Sequence, residues 1–146
     1  MGSDVIIWDE SMSVGARAMD AQHCLILGQI NRLAQYSAAG CSRNAMSGIL
    51  SRLVVYASEH FRAEEALLEK AGLQGSAARR EGQVAFRLKM MRFGNAFRAQ
   101  VGGVDVLLHD YLREWWTEHI MIEDMKYKGM ITEGKVECFK ELAAVD

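Results

Sequence analysis

The 146-residue chain is predicted to be all-α, an antiparallel up-down-up-down four-helix bundle. Three observations predict this class. Proline is absent, apolar residues recur at three- and four-residue steps through most of the length, and only short connections separate four long periodic stretches. Short connections between long helices make neighbours antiparallel. Half of the residues are apolar and the length fits one domain with one sizeable core.

An irregular arm comes first, spanning residues 1–19, in which Val5-Ile6-Ile7-Trp8 leads to Val14-Gly15 and Trp8 is placed to cap the bundle. The first helix is expected from about Asp20 to Ser37, with Ile26, Ile30, Leu33 and Ala34 on one stripe and Ala38-Ala39-Gly40 ending it. The second runs from about Arg43 to Lys70 with Ile49, Leu53, Tyr56, His60, Glu64 and Leu67 on one face, and Gly72 is its stop. The third extends from near Ser76 to about Gln100, burying Phe86, Met90, Phe93 and Phe97, and Gly102-Gly103 makes the turn. Its stripe projects backwards onto Gln83 and Arg79. The fourth, from about Val104 to Tyr127, aligns Leu108, Leu112, Trp115, His119 and Ile122. The bundle therefore occupies about residues 20–128. In the extension, residues 129–146, Thr132 could cap a short C-terminal helix with Val136, Phe139 and Leu142 on one side.

Composition narrows the function. With 17 basic and 19 acidic side chains, a formal charge of −2 and no block of like charge, no nucleic-acid or membrane partner is expected. No apolar run approaches the length of a membrane span, and Met1-Gly2-Ser3-Asp4 lacks the basic and apolar regions of a signal peptide. Cys24, Cys41 and Cys138 are odd in number and lie far apart without a CxxC, so neither a disulfide framework nor a zinc ribbon is suggested. A soluble cytoplasmic protein is the expectation.

The informative residues are polar ones that continue the apolar stripes. Four residues advance a helix by about 400° and 6 Å, so His60 and Glu64 point the same way, one turn apart, and one metal could touch both. Such a pair alone is more commonly a solvated one, and His23 or His119 alone is more commonly a hydrogen-bonded core histidine. Together the odds change, because antiparallel packing brings His23, His60, Glu64, Arg79, Gln83, His119 and Asp124 to one end of the bundle, where an unpaired carboxylate would be costly. Asp124 is awkward: a five-residue step from His119 rotates about 140° on an ideal helix, so it reaches inward only from a distorted last turn. His109, about three turns earlier, is expected to be structural or exposed.

Mixed imidazole and carboxylate donors suit iron, manganese or zinc. The order Trp8, Val14-Gly15, Asp20-Ala21-Gln22-His23, Asn31, His60-Phe61-x-x-Glu64-Glu65, Trp115-x-x-x-His119-Ile120-x-x-x-Asp124-x-x-Tyr127 resembles the bacterial hemerythrins over about the first 128 residues. The resemblance implies a non-haem di-iron site that binds dioxygen reversibly. It assigns His23 and His60 to the iron with an open position, Glu64 and Asp124 to the bridging carboxylates, and His119 to the second iron. Ile26 and Trp115 match apolar positions lining the dioxygen pocket. The second iron's other two histidines fall, by ungapped counting from Glu64, on Arg79 and Gln83, with Phe86 in register.

That departure leaves several outcomes open. The second iron could bind loosely through His119, Glu64, Asp124, water and the Gln83 carboxamide, giving two irons. One iron could bind at His23 and His60 with Glu64. Arg79, whose guanidinium does not ordinarily ligate iron, could point into the vacant place and pair with Glu64 or Asp124. The leading reading is a protein that binds or senses dioxygen or another diatomic gas at a carboxylate-bridged iron site. A di-iron or mono-iron peroxidase or oxidase is the first alternative, and a metal-free helical interaction module the second.

Overall fold

A computed structural model describes residues 5–40, 42–73 and 77–130. Four long helices dominate it: α1 (Arg17–Ala38), α2 (Arg43–Lys70), α3 (Ala77–Arg98) and α4 (Val104–Glu118). Helix α1 packs on α2 and α4, and α3 packs on the same two, as in an up-down-up-down bundle. No helix among the described residues is long and apolar enough to cross a membrane. The short helix expected after Thr132 lies outside the described residues. Contrary to the expectation of no disulfide framework, Cys24 is buried and disulfide-bonded.

Local chemistry sets the helix ends. The Ser42 side chain accepts from the Ala45 N–H and starts α2. Gly72, at φ 77°, stops it: the Gly72 N–H donates to Glu69 O and the Leu73 N–H to Leu68 O, the paired bonds of a Schellman motif. Helix α3 ends in the same way, with Gln100 N–H to Phe97 O and Val101 N–H to Ala96 O. Here the left-handed residue is Gln100, at φ 59°, rather than Gly102-Gly103. Gly103 instead precedes α4 as its N-cap.

The arm is tied to α1 by two polar clips. Asp20, fully buried, accepts from Ser13 Oγ at 2.6 Å and from the Val14 N–H at 2.9 Å. Asn31 accepts from the Ile6 N–H at 2.8 Å and donates to Ile6 O at 2.9 Å, pairing with the arm as a neighbouring strand would. Trp8, half-buried, packs against the main core as expected. The clips pull α1 into helix at Arg17, three residues before Asp20.

The core runs along the bundle axis through Ile26, Ile30 and Leu33 of α1, Ile49, Leu53 and Phe61 of α2, and Phe86, Met90 and Phe97 of α3. Helix α4 contributes Leu108, Leu112 and Trp116, and the four-residue ladder continues to Ile120. Burying each large apolar side chain stabilises the fold by roughly 1.5–3 kcal/mol. Two expected positions move. Trp116 rather than Trp115 is fully buried, and Ile122 is 54% exposed while Ile120 is enclosed. Trp116 continues the four-residue ladder of Leu108 and Leu112 within α4, whereas Ile122 turns outward because α4 stops at Glu118 and passes into a π turn, His119–Glu123, followed by a 3-10 turn, Asp124–Tyr127.

Candidate metal centre

Four elements deliver the polar cluster to one end of the bundle. His23 projects from the second turn of α1, His60 and Glu64 from the late turns of α2, and Arg79 and Gln83 from the start of α3. His119 opens the π turn and Asp124 closes it, its N–H donating to His119 O five residues back. That widened turn restores the alignment an ideal helix would lose over five residues. His119 Nε2 consequently lies 3.0 Å from Asp124 Oδ2.

The three imidazoles meet through the same ring atom. His60 Nε2 is 3.1 Å from His23 Nε2 and 3.2 Å from His119 Nε2. Asp124 Oδ2 stands 3.0 Å from His23 Nε2 and 3.8 Å from His60 Nε2, and Glu64 Oε2 is 3.5 Å from His60 Nε2. One donor atom from each of the five residues falls within 4.8 Å of all the others, and all five residues are buried. On its far side, His60 Nδ1 meets Gln22 Oε1 at 2.8 Å, which fixes the proton on Nδ1 and leaves the Nε2 lone pair aimed inward.

These donors fit a cation. Asp124 Oδ2 is buried and is approached only by imidazole nitrogens among the described residues, those of His23 and His119 at 3.0 Å. A buried carboxylate is expensive unless positive charge stands beside it, and a cation held by these imidazoles supplies that charge. Two ligands at right angles on an ion about 2.1 Å away lie about 3 Å apart, which is the spacing seen among the Nε2 atoms and Oδ2. The protonation pattern of the cluster agrees. Burial and the neighbouring His60 hold His23 down to about 4. Burial also opposes charge on His119, but Asp124 and Glu64 outweigh it and push His119 up to about 9. Burial works against Asp124 too, yet the three histidines keep it well below the usual carboxylate range. The carboxylates thus remain charged and, in the metal-free cluster, draw a proton to His119 while His23 stays neutral.

A family model described as the hemerythrin HHE cation binding domain matches residues 14–131. The chain belongs to the hemerythrin family. Among similar proteins, a bacteriohemerythrin of Pseudomonas aeruginosa is 29% identical over 138 residues, covering 93% of this chain and 88% of its own. Myohemerythrin-1 of Phascolopsis gouldii is 32% identical over 130 residues, covering 86% and 93% respectively. A hemerythrin-like protein of Naegleria gruberi is 28% identical over 124 residues, covering 85% and 92%.

Within this hemerythrin the two atypical positions behave differently. Arg79 turns inward: Nη1 donates to Asp124 Oδ1 at 2.7 Å and to Glu64 Oε1 at 3.0 Å, and Nη2 donates to Glu123 O at 2.9 Å. Its guanidinium also lies over the Tyr127 ring. Gln83, largely buried with Nε2 unpartnered, lines a small cavity of about 190 Å³ together with Arg79, Gly82, Trp115 and His119. Tyr127 is buried and donates to Glu64 Oε2 at 2.8 Å. Burial first, then the adjacent carboxylates, raise its phenol, so it stays a donor.

The apolar surroundings separate into two sides. Ile26 is fully buried in the main core. Trp115 stacks on His119 at 5.1 Å, on the cavity side, whereas Trp116 stands 6.5 Å from His23 and 5.6 Å from His60. Phe61 stacks on Trp116 and closes the same wall. Sequence reasoning missed Trp116, Gln22 and the Glu123 carbonyl. The four-residue ladder from Leu108 through Leu112 points to Trp116, and Gln22 is legible only once α1 and α2 are known to be neighbours. His109, the fourth histidine, is buried and away from the cluster, as a structural residue would be.

Proposed function

We propose that this hemerythrin binds non-haem iron through His23, His60, Glu64, His119 and Asp124, and that it binds or senses dioxygen or another diatomic gas there. The observation carrying this reading is the convergence of three imidazole Nε2 atoms and two carboxylates, all buried, on one point. Iron, when bound, supplies a redox-active centre for a small diatomic ligand. The chain's own residues do the rest. Gln22 orients His60, Tyr127 and Arg79 orient Glu64, and Trp116, Phe61 and Ile26 supply an apolar wall that limits water. Residues 1–146 are read as one hemerythrin-like domain.

Anaerobic reconstitution with ferrous iron, followed by metal analysis and visible spectra under dioxygen, tests the reading. A new absorption that bleaches under vacuum and returns on re-exposure is expected. Iron well below one per chain would refute it and leave the metal-free interaction module. A second reading, a peroxidase or oxidase, draws on the cavity beside Gln83 and His119, an opening to small polar reactants. Multiple turnover of peroxide with a reductant, without a reversible gas-bound form, would select it.

A further inference from the structure

We infer that Arg79 takes the place of a second metal ion, so that this chain holds a single cation with His23, His60 and His119 gathered on it together. The inference rests on the iron-binding reading above and specifies its stoichiometry.

The two carboxylates carry the argument, because each turns one oxygen to Arg79 and the other toward the histidines. Asp124 presents Oδ1 to Arg79 Nη1 and Oδ2 to the histidine nitrogens; Glu64 presents Oε1 to Arg79 Nη1 at 3.0 Å, with His119 Nε2 3.6 Å away, and Oε2 to the Tyr127 hydroxyl at 2.8 Å and His60 Nε2 at 3.5 Å. A bridging carboxylate between two metal ions divides its oxygens in the same manner. Here one of the two bridged charges is a guanidinium nitrogen 2.7 and 3.0 Å from the two oxygens. It is only 7% exposed and is tethered further by the Glu123 carbonyl. A guanidinium keeps its proton in proteins and offers no lone pair, so Arg79 holds this place permanently and cannot yield it to a metal by losing charge.

The histidine positions lead to the same conclusion. His119, assigned by resemblance to the other iron, stands 3.2 Å from His60 Nε2, in one ring of donors with His23 and Asp124 Oδ2. Spacings of 3.0 to 3.2 Å are those of adjacent ligands around one ion. A second ion would have to share the carboxylate oxygens with Nη1 and would keep none of these imidazoles to itself.

Metal titration of the full chain decides the matter. Metal-free protein titrated anaerobically with ferrous iron, and separately with cobalt(II) followed by its visible absorption, should reach a single break at one equivalent. Retained metal after gel filtration should also be one per chain. Two equivalents in the wild-type protein would overturn the inference while leaving iron binding intact; no retained equivalent would overturn both. The double substitution Arg79→His with Gln83→His should raise the retained metal from one to two per chain. A folded double variant that still retains one would show that Arg79 does not set the number. Should that variant fail to fold, the wild-type break point alone still decides.

Discussion

Replacing Gln22 with leucine should weaken metal binding by a predictable amount without disturbing the bundle. Gln22 Oε1 is the 2.8 Å partner of His60 Nδ1, and the residue is only half-buried, so no tightly packed volume is lost. Neutral imidazole carries one proton, and the Gln22 oxygen holds it on Nδ1, leaving Nε2 free as a donor to a cation. Without that acceptor, Nε2 competes for the proton and the ring gains rotational freedom. Loss of such an orienting partner costs about 10- to 100-fold in metal affinity, or about 1.4–2.8 kcal/mol at 1.4 kcal/mol per tenfold. Competition of cobalt(II) or ferrous iron against a chelator of known affinity measures it, with urea unfolding of the metal-free protein as the control. Gln22→Glu should shift affinity the other way, since a carboxylate at the same atom makes the imidazole more basic. If both variants bind within twofold of wild type, His60 is not held through Nδ1 and the reasoning fails.

Three other outcomes are expected. Asp20→Ala removes the buried acceptor of Ser13 Oγ and the Val14 N–H, so stability should fall by about 2–4 kcal/mol in urea unfolding; a loss under 1 kcal/mol would mean the arm is held elsewhere. Gln100→Gly relieves a left-handed non-glycine residue at φ 59° and should stabilise by about 1 kcal/mol, read as a higher urea midpoint at unchanged slope. For the metal-free protein, His119 is raised from 6.5 to about 9, so its stabilisation is complete below pH 6.5 and is lost as pH rises through 9. His23, lowered to about 4, refuses a proton that the unfolded chain accepts, so stability also falls as pH drops from 6.5 toward 4. Chemical denaturation should therefore show a maximum near pH 6.5, and a steady rise from 6.5 to 9 would contradict the cluster's electrostatics.

Much of the bundle is legible in the periodicity. Helix α2 occupies Arg43–Lys70, the span its stripe and Gly72 predict, because a serine cap and a glycine stop are local signals. Helix α1 starts earlier than expected because Asp20 reaches back over the first turn to Ser13 and Val14, a contact that the apolar stripe does not reveal. Gln100 in a left-handed turn was masked by the more permissive Gly102-Gly103 beyond it. At the site, the stripes bring together His23, His60, Glu64, Arg79, Gln83, His119 and Asp124 as antiparallel packing requires. What the periodicity could not supply is how Arg79 divides the two carboxylates, because that depends on side-chain reach across three helices. Nor does a constant helical step reveal the change of winding after Glu118 that turns Ile122 outward, although it does point to Trp116 over Trp115.

The π turn has a bearing on how such chains are compared. From His119 to Asp124, sequence distance and spatial register part company by one residue: four-residue counting is valid up to Glu118 and five-residue counting is required immediately after. A search that demands histidine and carboxylate at a uniform i,i+4 step would score Asp124 as misplaced and Glu123 as nearly right. Glu123 in fact offers only its backbone carbonyl to Arg79 and pairs its side chain with Lys126 at the surface. Alignments spanning this point should therefore carry the extra residue inside the turn, and a gap placed there to tidy the helix would exchange a cluster carboxylate for a solvated one.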